Sequence, residues 1–206
     1  KKYKLEFINK LLKYQDEKCK SRFELSIYRS YLKEDLEEHI KEILENHSRD
    51  NFDKLLKQEK IKVSISKKFP DKIELIEEKI VGQEYHRSYY EKIDKLNKEE
   101  KSFIDKLDLD ELKSIKYWVR CREKQEDSFA LQGWENRRFY PDFVAVTEKG
   151  NILALEWKGE HLEENKDTTY KKELGKVWES LGKGKLHFFL VTNKNVKEVL
   201  NSIKEL

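Results

Sequence analysis

Asp142, Glu156 and Lys158 are the residues whose types and spacing could do chemistry: two carboxylates able to share a cation, and an amine able to act beside them. All three lie in the stretch from Phe139 to Lys158, FYPDFVAVTEKGNILALEWK. Phe139 to Thr147 and Asn151 to Lys158 read as strands, rich in β-branched and aromatic residues, with Glu148-Lys149-Gly150 between them. A three-residue hairpin loop ends in the left-handed region, which Gly150 enters without a Cβ penalty. Pairing Thr147 with Asn151 sets Asp142 opposite Glu156 and Tyr140 opposite Lys158. Opposed residues share a sheet face with Cβ atoms about 4.5–5.5 Å apart, and strands alternate with period two, so the three groups converge. Ile152 and Ala154 share their face, while Leu153, Leu155 and Trp157 take the other, so both faces read as covered.

Two opposed carboxylates in a mostly apolar sheet repel each other and lose hydration, which calls for a compensating cation. Mg²⁺ suits such a site, being a hard ion that takes one or two carboxylates and keeps several waters, and Mn²⁺ is expected to substitute for it. The backbone carbonyl of Trp157 is a third ligand candidate. A cation held by Asp142, Glu156 and Trp157 supports hydrolysis of a phosphodiester. Lys158 could position the attacking water or stabilise the phosphorus as an ammonium, or serve as a base if burial depresses its pKa; the sequence leaves these roles open. A bare D…ExK pattern in a chain that is 41% charged is also compatible with a simple salt bridge in a solvated hairpin, so the wider context has to decide.

The segments Tyr140-Pro141-Asp142-Phe143 and Glu156-Trp157-Lys158-Gly159 resemble the PD-(D/E)xK nuclease signature. The run from Asn97 to about Trp178 resembles the C-terminal endonuclease domain of type III restriction enzyme Res subunits and related DEAD/DEAH-box helicases. The pieces recur in order: Leu96-Asn97 with Glu100 opening a helix, Trp118-Val119-Arg120 in a strand, Gly133-Trp134, YPDF, EWKGEHL and DTTYKK. Cys121 stands where that family would place Asn, and Trp157 takes the variable position inside ExK. The resemblance implies a restriction-endonuclease-like α/β core, αβββαβ, over residues 96–206, preceded by an α+β connecting region or small domain over residues 1–95. It also implies double-stranded DNA as substrate, a helicase or translocase upstream in the same polypeptide, and a methyltransferase subunit as a candidate partner. A non-catalytic nucleic-acid-binding or motor-docking module on the same fold, and an RNA nuclease, are the alternatives.

Glu100 has two readings. It lies on the apolar stripe of Leu96, Phe103, Ile104 and Leu107, and the family often has an acidic residue in this helix that joins the metal site, which makes it a candidate catalytic residue. It is equally the capping-box partner of Asn97. Lys166 to Leu181 reads as a helix with Tyr170, Leu174, Val177, Trp178 and Leu181 on one stripe, and from Lys166 through Lys185 six Lys face three acids. Such a run is often only a solvated face, but beside a metal site it would contact phosphates. The resemblance places helix residue Lys171 near the substrate, and Arg137 and Arg138, just before the YPDF strand, are similar DNA-binding candidates. Leu186 to Thr192 reads as a buried strand and Asn195 to Glu205 as a closing helix with Val196, Val199, Leu200 and Ile203 inward.

The first 95 residues carry no motif with chemistry. Phe23, Leu25 and Ile27 alternate, as do Ile61, Val63 and Ile65, which predicts two half-exposed strands. Leu32 to Leu44 predicts a helix and Phe52 to Leu56 a shorter one; residues 72–81 fit either element, and Lys67-Lys68 before Pro70 reads as a turn. At 206 residues, with 37% hydrophobic and 12% aromatic residues, the chain can build a core despite a mean hydropathy of −0.94. A net charge of +3 is too small to argue nucleic-acid binding, so only local clustering can. Cys19 and Cys121, with no CxxC or Cys/His cluster, argue against zinc and a disulfide framework. No signal or spanning segment is visible, which predicts a cytoplasmic protein without a membrane partner. A chain that begins Lys1-Lys2 and has no Met reads as a fragment of something longer, and it contains no Walker A pattern.

Overall fold

The computed structural model describes residues 22–65, 85–108, 112–123, 128–159 and 165–206, with Asn9 and Lys13. They fall into two compact units, Lys1–Gln58 and Glu59–Leu206. In the first, α1 (Arg22–Lys57) is a single 36-residue helix. The strand expected at Phe23, Leu25 and Ile27 is therefore helix, and the two helices expected after it are one. No Gly or Pro interrupts residues 22–57, so nothing stops a helix once it has started, whereas three alternating apolar residues are a short signal. The readings of residues 72–81 and of Lys67-Lys68 lie outside the described residues.

The second unit is mixed α/β. It opens with β1 (Ser64–Ile65), α2 (Lys98–Leu107) and β2 (Ile115–Arg120), and then two short strands, β3 (Ala130–Gln132) and β4 (Arg138–Phe139). There follow β5 (Phe143–Thr147), β6 (Ile152–Trp157), α3 (Lys166–Leu181), β7 (Leu186–Val191) and α4 (Val196–Glu205). Of the strand expected from Ile61 to Ile65, only β1 forms, although Val63 is buried and its carbonyl accepts from Gln132 at 2.8 Å. The main sheet runs β2-β5-β6-β7, antiparallel except for the parallel β6–β7 pair that α3 connects, and a small sheet runs β1-β3-β4.

The hairpin has the counted register: Phe143 pairs with Leu155 and Val146 with Ile152, and the Thr147 N–H donates to Asn151 O at 2.9 Å. Gly150 takes φ +80°, the left-handed conformation the loop requires. The expected strand Phe139–Thr147, however, is broken at Tyr140-Pro141-Asp142. Phe139 pairs with Leu131 in the small sheet, and the main-sheet strand resumes at Phe143. Pro141 explains the break, since it has no N–H for a ladder and restricts the residue before it.

Helix α2 starts at Asn97, whose side chain accepts from the Glu99 and Glu100 N–H groups, and ends at Asp108. Its Phe103, Ile104 and Leu107 pack with Trp118, Phe143, Leu153, Leu155 and Trp157 of the sheet and with Val196, Val199 and Ile203 of α4. Tyr90 and Ile93 join the same core, and Tyr89 N–H donates to Trp118 O at 2.8 Å. Helix α3 covers the opposite face, with Tyr170, Leu174 and Trp178 buried and Gly175 set against Phe188 of β7. Leu181, expected on its inner stripe, is exposed. No helix among the described residues is long and apolar enough to cross a membrane.

Candidate active site

The break at Pro141 shapes the site. In the hairpin register Trp157 stands opposite Pro141 at a hydrogen-bonded position, so a regular ladder would join their backbones. The Trp157 N–H instead donates to Asp142 Oδ2 at 2.6 Å, and Pro141 has no N–H to give the Trp157 carbonyl. Asp142 still holds the sheet edge, because its carbonyl accepts from Cys121 N–H at 2.9 Å. The turn thus fixes the Asp142 carboxylate and leaves the Trp157 carbonyl without its ladder donor.

Glu156 lies on the α3 side of β6, 2% exposed. Its Oε1 accepts from two ammonium groups, Lys158 Nζ at 2.9 Å and Lys171 Nζ at 2.8 Å. Its Oε2 is buried with no hydrogen-bond partner among the described residues. An orphaned carboxylate oxygen is costly to bury, and here it lies beside a second carboxylate. Burial first, and the facing Glu156 second, raise the Asp142 pKa to about 7, with Glu100 adding to the rise. The Trp157 N–H and Lys158 oppose it.

Lys171 reaches Glu156 from α3 and comes within 3.3 Å of Asp167 one turn earlier. Burial works against its charge, yet the contacts with Glu156, Lys158 and Asp167 outweigh that and hold its pKa above the usual lysine value. Lys171 is therefore a permanent ammonium. Asp167 accepts from Arg137 Nη2 at 2.5 Å and lies 3.8 Å from Lys158 Nζ. Burial would raise its pKa, but Lys171, Arg137 and Lys158 bring it below the ordinary carboxylate value. The Cys121 thiol is pushed up by burial and by the nearby Asp142 and Glu156, so it stays protonated.

The other expected residues lie as follows. Glu100 closes the capping box, accepting from Asn97 N–H at 2.9 Å, and pairs with Arg120 at 3.4 Å. Arg137 is exposed, bound to Glu135 at 2.7 Å as well as to Asp167. Arg138 is exposed on β4. Two residues escaped the sequence reading. Glu99, beside Glu100 in the first turn of α2, is the acid that reaches the hairpin, accepting from Trp157 Nε1 at 2.9 Å. Asp167 gathers the three cations, and its spacing of four from Lys171 on a helix was the available signal.

Among the described residues no three His, Cys, Asp or Glu side chains cluster as a metal-binding group. A cation here would rest on two carboxylates and a backbone carbonyl. That oxygen set suits Mg²⁺, which binds through one or two carboxylates and retains waters. Comparison of the chain with protein-family models, with curated proteins and with solved structures yields no match.

Proposed function

We propose that this chain is a metal-dependent endonuclease domain with a restriction-endonuclease-like, PD-(D/E)xK core. In this reading it hydrolyses phosphodiester bonds of DNA as part of a type III restriction enzyme or related helicase-nuclease. One observation carries the reading: Glu156 presents a buried oxygen with no partner among the described residues, beside the raised-pKa Asp142 and with Lys158 2.9 Å from the same carboxylate. An arrangement that costs stability and sits beside a lysine is what a cation and a phosphoryl group would use.

Asp142, Glu156 and the Trp157 carbonyl would hold the ion, Mg²⁺ or Mn²⁺. When bound, it supplies Lewis acidity to the phosphoryl group and lowers the pKa of water. Lys158 points its ammonium at the same carboxylate, from where it would position the attacking water or stabilise the charge growing on phosphorus. Lys171 stays charged, steadies Glu156 and faces the substrate backbone. Glu99 fixes the Trp157 indole, and with it the backbone that holds Asp142.

A second reading draws on the two lysines. Glu156 Oε1 already has two ammonium partners, so the site could be compensated without a metal in a non-catalytic nucleic-acid-binding or motor-docking module. Plasmid nicking with Mg²⁺ or Mn²⁺, with EDTA and Glu156→Ala as controls, tests the nuclease reading, and matched RNA separates an RNA nuclease. Metal-dependent nicking lost in Glu156→Ala is expected. The absence of nicking together with undetectable metal binding would favour the second reading.

A further inference from the structure

A cavity of about 540 Å³ opens beside the carboxylates, lined by Glu123, Arg137, Arg138, Phe139, Tyr140, Tyr170 and Lys171. Its volume falls in the range of small-ligand sites, roughly 300–1,000 Å³. The lining is unusual in kind: three aromatic rings, three cations and one acid. Cations and rings are already matched, with Lys171 Nζ 4.9 Å from the centre of the Phe139 ring and Arg137 Cζ 5.8 Å from that of Tyr170. Phe139 and Tyr170 are only 3% and 4% exposed, and Arg137 and Lys171 are held by Asp167, so Tyr140 and Arg138 are the ring and the cation most open to a ligand. A nucleotide uses both, stacking its base on aromatic faces and placing its phosphate among cations.

The cavity also adjoins the carboxylate site. Lys171 belongs to both, lining the cavity and contacting Glu156 at 2.8 Å. Phe139 and Tyr140 lead directly through Pro141 to Asp142. A phosphodiester beside Asp142 and Glu156 would therefore have its neighbouring nucleotide at the cavity mouth. In an intact duplex that base is stacked and paired, and it can enter only by leaving the stack.

We propose that this cavity seats one unstacked nucleotide, its base against Tyr140 and its phosphate at Arg138, in the positive field of Arg137 and Lys171. A single or locally opened strand is then the form the site engages. Glu123 only accepts hydrogen bonds, so it favours a base edge that carries an amino group, such as cytosine. The inference deepens the nuclease reading by naming the form of its substrate, and rests on it only for the identity of the strand as the thing cut.

The test needs no turnover. The metal-free protein in EDTA is titrated calorimetrically with dCMP and, separately, with inorganic phosphate. One dCMP is expected to bind at least about tenfold more tightly than phosphate, and Tyr140→Leu and Arg138→Gln should each weaken it by about tenfold without lowering the melting temperature. A single-stranded 12-mer should also bind more tightly than its duplex. Equal affinity for dCMP and phosphate, affinity unchanged in both variants, or preference for the duplex would overturn the proposal. Because no step involves metal or cleavage, a failed nicking assay and a failed nucleotide titration identify different errors.

Discussion

Asp142 is the residue on which the electrostatics turn. Its folded pKa of about 7 stands well above the ordinary 3.8, with burial as the first cause and Glu156 as the second. A carboxyl raised in this way favours the fold only while protonated. Its contribution is fully present below about pH 4 and is lost as pH rises through about 7, because the folded state must then give up a proton it holds more tightly than the unfolded chain does. In EDTA, Asp142→Asn should therefore stabilise the protein at pH 8 by on the order of a few kcal/mol and by little at pH 4. The substituted amide oxygen can still accept the Trp157 N–H, so the comparison isolates the charge. Melting curves at both pH values check this, and an equal effect at each would refute it. The Asp142, Glu156 and Lys158 trio was legible because strand alternation and a three-residue loop fix opposition by counting. Glu99 was not legible. It and Glu100 occupy the same helical turn, and which of them meets Trp157 depends on the rotation of α2 against the sheet.

At the scale of elements, the placement of Lys171 depends on how closely α3 approaches β7. Gly175 permits that approach: a Cβ there would collide with the Phe188 ring, which is held in the sheet opposite Ala154. Gly175→Ala should lower stability by about 1–3 kcal/mol through overpacking. It should also lower cleavage, since Lys171 lies one turn before it on the same helix and contacts Glu156. Thermal melting and the nicking assay read the two effects, and a variant that melts like the wild type would show that α3 can shift freely. Gly150→Ala acts differently. Nothing lies within 4 Å of a Cβ there, but the φ of +80° is strained for alanine, so about 1 kcal/mol should be lost with the site's chemistry retained. The bounds of α3 and α4 were readable from apolar periodicity and those of β7 from a continuous apolar run, although β7, expected to be buried, is only half-buried from Leu186 to Leu190. The break at Pro141 was in plain view but was read through, because β-branched and aromatic composition continues on both sides of it while its two halves pair in different sheets.

For the whole molecule, every residue of the candidate site and every member of its core belongs to the unit Glu59–Leu206. Composition gives no sign of that boundary, because charged residues are spread along the whole chain. Within α1 the helical stretches Leu32–Leu44 and Phe52–Leu56 were legible, but their continuity with each other and with Phe23–Ile27 was not; Tyr31, Ile43, Leu44 and Leu55 are exposed along it. If the fold of residues 59–206 contains the site, that fragment should melt cooperatively by itself and respond to metal. Binding to the folded state alone adds about 2.7 kcal/mol at a hundredfold excess over Kd, a rise of several degrees in Tm. Mg²⁺ or Mn²⁺ should produce that rise at pH 8, where Asp142 is mostly ionised and its cost is greatest, and EDTA should reverse it. Asp142→Asn and Glu156→Ala should each reduce the shift sharply. A shift of equal size in both variants would place the cation elsewhere, and no shift in the wild type would mean that Lys158 and Lys171 are sufficient counter-charge for Glu156.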